Sequence, residues 1–207
     1  MRLWLGLALL ALPAVGAVCA PLVAALLGHD ADMPDLFNRF APPSAAHPLG
    51  TDDLGRDMLL RLLQGARVSL VVGLAVALAA TGLGTALGLL AAWRGGWVDA
   101  VLMRLADGLL SLPALPLLVV LAAVDPARLG LPRGEARTDI LRITVILTLF
   151  GWVGVARLAR AAALSELAKD YVAAARVCGA SEVRVMWRHI LPNISGPIVV
   201  VRKDPKE

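Results

Sequence analysis

The sequence predicts an all-α, polytopic helical membrane protein, and three observations carry that expectation. Of its 207 residues, 58% are hydrophobic and only 17% charged, with a mean hydropathy of +0.75; soluble domains carry about a quarter charged residues. Several apolar runs approach or exceed the roughly 20 residues that a helix needs to cross about 30 Å of hydrocarbon. Lys and Arg also gather in alternate loops, as they do when basic loops stay cytoplasmic.

Arg2 precedes Leu3–Leu27, an uncharged run of 25 residues. A cleaved signal segment has an apolar region of only about 7–15 residues, so this run reads as a retained anchor and first span. Cys19 follows the bulky Val18, which is a poor lipoprotein site. The other cysteine, Cys178, lies far away, so neither a disulfide framework nor a metal spacing exists.

The loop Gly28–Arg67 sets Asp30, Asp32, Asp35, Asp52, Asp53 and Asp57 against Arg39, Arg56, Arg61 and Arg67. Within it, Pro48 and Gly50 make a turn and Thr51 or Asp52 is placed to cap a helix. Leu54, Met58, Leu59, Leu62 and Leu63 form one apolar face, and Gly65 is a natural stop. The expectation is a separate amphipathic helix lying on the membrane surface. Asp52, Asp53 and Asp57 lack the alternation of a calcium loop, and His47 and His189 have no partner at ligand spacing, so no metal or catalytic residue is expected.

Val68–Ala92 is the second span, and its Gly84–Gly88 pair is a GxxxG that lets helices approach closely. After the short loop Trp93–Val98 comes the third span, Gly108–Val124, extended backwards by Trp97–Asp107. Pro113 and Pro116 should kink it. Arg104 and Asp107 sit about one turn apart and suit a local ion pair. The loop Asp125–Asp139 is nearly neutral. Ile140–Ala156 is the fourth span, with Arg142 expected to snorkel to the interface. Arg157–Pro192 is rich in arginine. Arg2, Arg94 and this last region then lie inside, the acidic first loop outside, and the N-terminus in the cytoplasm. The basic residues thus follow membrane topology and do not point to nucleic acid.

Tyr171–Asn193 carries Arg176, Glu182, Arg184, Arg188 and His189, too much charge for lipid. Leu164, Leu167, Ala168, Tyr171, Ala175 and Cys178 fall on a helical stripe, which Gly179 ends with a positive φ. Ser181 is placed to cap a second helix whose Val183, Met186, Trp187 and Ile190 share a face, and Leu191-Pro192 should stop it. Two short amphipathic helices on a glycine turn suit a groove in a partner protein.

These residues resemble a known family. Ala174-Ala175, three intervening residues, Gly179 and then Leu191-Pro192 are similar to the EAA loop of ATP-binding-cassette importer permeases. YVxAARxxGAS…RHILPN from Tyr171, HPLGTDDLGRDMLLRLLQGARVSL from His47 and GGWVDAVLMRLADGLL from Gly95 resemble the dipeptide, oligopeptide and nickel permease group, in the family's order. The resemblance covers nearly all of residues 1–200 and implies a type I importer transmembrane-domain fold. It also implies that residues 163–193 are a cytoplasmic coupling hairpin seated in a separate ATPase. Its coupling positions are Tyr171, Ala173, Ala174, Ala175 and Arg176 on the first helix. Gly179, Ala180 and Ser181 form the turn, and Arg188, His189, Leu191 and Pro192 complete the second arm. The implied partners are two cytoplasmic ATP-binding subunits, a second permease subunit, an external solute-binding protein and membrane lipid.

The sequence departs from the family pattern twice. Ala173 stands where the family has Glu. Ile194–Val201 offers eight apolar residues before the polar Arg202–Glu207, a stub of a fifth span where family members continue through two more. The organisation expected is therefore an anchor and external loop over 1–66, an incomplete transmembrane domain over 67–201 and an atypical tail over 202–207. No G-x-x-x-x-G-K-[ST] occurs, so ATP chemistry falls to another subunit. No HExxH or paired intramembrane carboxylates point to an enzyme, and no cofactor is implied. The function expected is import of peptides, nickel chelates or another small solute; the alternative is a transport-inactive membrane interaction protein.

Overall fold

The structure, a computed structural model, describes residues 2–125 and 136–199. The expected tail 202–207, the end of the stub and most of the third loop lie outside the described residues. Helices dominate: α1 Arg2–Leu27, α2 Met58–Arg94, α3 Gly96–Ser111, α4 Ala114–Ala123, α5 Ala136–Leu167, α6 Asp170–Val177, α7 Glu182–Val185 and α8 Leu191–Val199. Among the described residues searched, Met58–Arg94 and Arg137–Leu167 within α5 are long and apolar enough to cross a membrane. The chain divides into two units, Met1–Leu74 and Ala75–Glu207.

In the first unit, α1 meets the first turns of α2, and a Cβ on Gly16 would lie 3.0 Å from the Leu63 side chain. The expected surface helix is not a separate element. α2 runs unbroken for 37 residues from Met58 through Gly65 to Arg94, about 55 Å at 1.5 Å per residue. A single helix keeps the backbone groups on either side of Gly65 bonded within the segment, whereas a break would free them near lipid. The cap is also displaced: Asp57, not Thr51 or Asp52, accepts the Leu60 N–H at 2.9 Å.

The loop before α2 closes on itself through its backbone. Asp35 N–H donates to Leu54 O and Thr51 N–H to Ala41 O, each at 3.1 Å, and Thr51 forms an antiparallel bridge with Asp57. A 3-10 turn, Leu36–Asn38, is capped by Asp35. Gly55 is obligatory here: its φ is +75°, and a Cβ would sit 1.7 Å from Asp35 O. Asp52 accepts the N–H groups of Leu54 and Arg56 at 2.9 Å and pairs with the Arg56 and Arg61 guanidiniums. Burial raises its carboxyl, but these donors outweigh burial and hold it at about 2. His47, expected to lack a partner, lies with Nδ1 3.0 Å from Asp57 Oδ2.

In the second unit, the GxxxG proves to be a close helix crossing. A Cβ on Gly84 would lie 2.6 Å from Trp152 O, and one on Gly88 would lie 2.4 Å from Ala156 O. Hydrogen atoms alone let α2 and α5 touch backbone to backbone. Beside this contact, Ala106 of α3 packs with Trp152, Val153 and Ala156 of α5.

The expected third span is two helices rather than one kinked helix: α3 and α4 are bent by 85° and are long enough to cross a membrane only as a pair. Pro113 pushes Leu112 into extended backbone (φ −78°, ψ 138°), while Pro116 sits harmlessly in the first turn of α4. The local Arg104–Asp107 pair does not form; Asp107 pairs instead with Arg157 of α5. Asp99 of α3 takes the Arg160 fork through two 2.5 Å bonds, so two ion pairs tie α3 to α5. The Arg142 guanidinium donates to Val124 O at 3.0 Å at the end of α4 and lies 3.7 Å from the exposed Asp139 carboxylate.

Candidate functional site

The hairpin begins where α5 stops at Leu167. α6 starts afresh at Asp170, and that restart resets the helical phase. The buried residues of the hairpin are therefore not the expected stripe. Val172 is buried and Ala175 half-buried, while Leu164, Tyr171 and Cys178 are exposed. The turn itself is as expected: Gly179 has φ +81°, and Ala180 N–H returns to Ala175 O at 3.0 Å. Ser181 caps α7 by accepting the Arg184 N–H. Across this turn Arg176 and Glu182 face each other, with Nε–Oε1 at 2.9 Å and Nη2–Oε2 at 3.0 Å.

The second arm differs in one physical respect. Met186–Ile190 is π-helical, and Leu191 N–H reaches back to Met186 O. Pro192 follows at once. It has no N–H to donate, and the wider turn before it accommodates its ring, so the helix continues as α8 and does not stop at Leu191-Pro192. The widening also shifts the buried face to Val185, Met186, Ile190 and Ile194. Val183 and Trp187, expected inside, are exposed, as is Arg188; His189 is half-buried.

A single apolar cluster joins the hairpin to its supports: Ala92 of α2, Ala163 of α5, Val172 of α6 and the four residues of the second arm. Full burial of each branched side chain is worth about 1.5–3 kcal/mol. The start of the expected stub is part of this core, since Ile194 is buried. At the base a polar bracket closes the hairpin. Tyr171 Oη donates to Glu166 Oε2 at 2.6 Å, and Asn193 Nδ2 donates to Tyr171 Oη at 3.1 Å and to His189 O at 2.8 Å. Lys169 Nζ donates to Glu166 Oε1 at 2.6 Å. Donation to the Glu166 carboxylate pushes the Tyr171 phenol and the Lys169 ammonium up from their ordinary values.

Sequence reading missed this bracket and the Arg176–Glu182 clasp, because both depend on how the arms fold back. Ala173, Ala174, Arg176, Gly179, Ser181 and Pro192 are all exposed. At the tip Val177 is 89% exposed, and Trp187 of the second arm is 68% exposed. Ala173 leaves the first helix of the hairpin without a carboxylate at that position.

Comparison with known proteins fits this architecture. Residues 84–201 match the family described as binding-protein-dependent transport system inner membrane component. The chain belongs to this family. It is 35% identical over 195 residues to the oligopeptide transport system permease protein OppC of Bacillus subtilis, covering 94% of this chain and 59% of that one. The dipeptide transport system permease protein DppC of the same organism is 36% identical, with 94% and 57% covered. An OppC of Mycobacterium tuberculosis is 31% identical, with 84% and 57% covered. The chain thus spans about 57–59% of the length of these inner membrane components.

Proposed function

We propose that this chain is a membrane-spanning permease subunit of an ATP-driven importer of peptides or similar small solutes. Its Tyr171–Asn193 hairpin is the docking site for a separate cytoplasmic ATPase. The observation that carries the reading is a rigid hairpin with an apolar tip. Val177 stands out beside the Gly179 turn while one face of each arm, Val172 on the first and Val185, Met186 and Ile190 on the second, is buried in the cluster with Ala92 of α2 and Ala163 of α5. Stable exposed apolar side chains on short helices suit a groove in a partner. The chain carries no phosphate-binding loop of its own, so hydrolysis belongs to the partner and this subunit is not the enzyme.

A push on the tip has a packed route into the membrane. The Glu166–Tyr171–Asn193 bracket ties the hairpin to α5, and α5 meets α2 at Gly84 and Gly88. Two ATP-binding subunits, a second permease subunit and an external binding protein complete the proposed importer of the cytoplasmic (inner) membrane. The N-terminus and hairpin lie inside and the Gly28–Asp57 loop outside, as the arginine distribution favours.

A photo-crosslinking amino acid at Val177 tests the docking. Cross-linking to the ATPase in the intact complex is expected, with none from the same probe at Ser44. In a cysteine-free background, a cysteine at Ser44 should react with an impermeant reagent from outside and one at Ser181 should not. Crosslinks from Ser44 alone, or the reverse labelling, would overturn the assignment.

A further inference from the structure

Two of the chain's three histidines converge on one carboxylate. His29 follows the end of α1, His47 lies in the loop, and Asp57 caps α2. Asp57 Oδ2 is 3.2 Å from His29 Nε2 and 3.0 Å from His47 Nδ1, and the three donor atoms lie within 4.8 Å of one another. We propose that His29 Nε2, His47 Nδ1 and Asp57 Oδ2 form a three-ligand site for a divalent transition-metal ion of the zinc type, clipping the end of α1, the loop and the start of α2 together.

The proton inventory of His29 points to a cation. Its Nδ1 lies 3.0 Å from Leu27 O, a carbonyl that only accepts, and its Nε2 faces a carboxylate, which when ionised also only accepts. A neutral imidazole has one N–H and cannot serve both. A cation on the Nε2 lone pair satisfies both nitrogens: Nδ1–H then donates to Leu27 O, the backbone hydrogen bond that orients metal-bound histidines.

Asp57 suits the same role. Its side chain is fully buried, at 0% exposure, and an unpaired buried carboxylate is costly. Oδ1 is fixed by the Leu60 N–H, so Oδ2, which faces the two imidazole nitrogens, is the oxygen placed to bind a metal. Ligand bonds of about 2.0–2.1 Å in a tetrahedral site put neighbouring donors about 3.3 Å apart, close to the two separations found. The third side, between the two ring nitrogens, lies within 4.8 Å and must shorten when the ion is bound. Two imidazoles and one carboxylate select zinc-like ions over calcium or magnesium, which want oxygen shells. His29 and His47 are 26% and 18% exposed, so a fourth position remains open to water.

Equilibrium dialysis of the detergent-purified full chain against Zn²⁺ tests the site. About one ion per chain is expected, together with a rise in thermal midpoint that grows with zinc concentration by mass action. His29→Gln with His47→Gln keeps a donor near Asp57 but removes both ring ligands; it should fold, lose the stoichiometric zinc and lose the zinc-dependent rise. His189→Ala should keep both. Should the double variant misfold, single His47→Gln must still lower zinc affinity at least tenfold. Zinc absent from the wild type, or retained by the double variant, would overturn the proposal.

Discussion

The loop before α2 and the hairpin after α5 are both polar in sequence and both turn on a positive-φ glycine, yet they are held in opposite ways. The loop is organised from a polar centre. Asp52 and Asp57 gather backbone N–H groups, guanidiniums and imidazoles, and Gly55 lets Asp35 pass in backbone contact. The hairpin is organised from an apolar centre of Val172, Val185, Met186, Ile190 and Ile194, with its ion pairs confined to the rim. A polar centre makes a segment exacting about backbone geometry and proton count. An apolar centre makes it exacting about volume, and leaves its surface free for a partner.

Matched substitutions at the two glycines should break this comparison first. Gly55→Ala forces a Cβ to within 1.7 Å of Asp35 O at φ +75°, so the loop must open, with an expected loss of roughly 3 kcal/mol or more. Gly179→Ala meets nothing within 4 Å and pays only the left-handed backbone cost, about 1–2 kcal/mol. Thermal unfolding in detergent would compare them; equal losses would show that the loop is not backbone-packed.

Next in size, Ile190→Ala should cost about 2–5 kcal/mol through its cavity and expose the hairpin's amides to hydrogen exchange. Trp187→Ala, on the exposed side of the same arm, should leave those amides protected. Similar exchange in both variants would refute the apolar centre.

The smallest expected effect is with acid. Asp52 is held at about 2 against an ordinary 3.8, so its contribution is complete above about pH 4 and is lost as the pH falls toward 2. Loop amides at Leu54 and Arg56 should lose protection in that window before the buried amides of the hairpin do. Simultaneous loss would remove the distinction between the two centres.

What could be read from sequence was local chemistry. Gly179 and Ser181 were legible because a turn and a cap are one-residue statements, and the GxxxG pair because two glycines on one helix face have few other uses in lipid. The fold class followed from apolar runs, and so did the existence of both hairpin arms. The buried face did not, because it depends on the phase reset at Ala168–Lys169 and the π-helical turn before Pro192, neither of which has a periodic signature. The partners of Asp57 were hidden by separations of 28 and 10 residues across a loop closed by irregular backbone bonds. Arg157 and Arg160 were grouped with the hairpin's arginines because a charge count alone does not show that α5 runs on to Leu167.

The central claim is that this hairpin transmits the ATPase's movement, and Gly179→Val examines it most directly. The substitution puts a β-branched residue at φ +81° in open space, distorting the turn while leaving the apolar core and the helices of the membrane domain in place. Binding-protein-stimulated ATP hydrolysis and solute uptake would be measured in the reconstituted complex, with the variant's membrane insertion verified. The account predicts an inserted subunit whose hydrolysis no longer responds to the binding protein and whose uptake falls at least tenfold. Stimulated hydrolysis and uptake at the unsubstituted level, with the ATPase co-purifying as before, would contradict it.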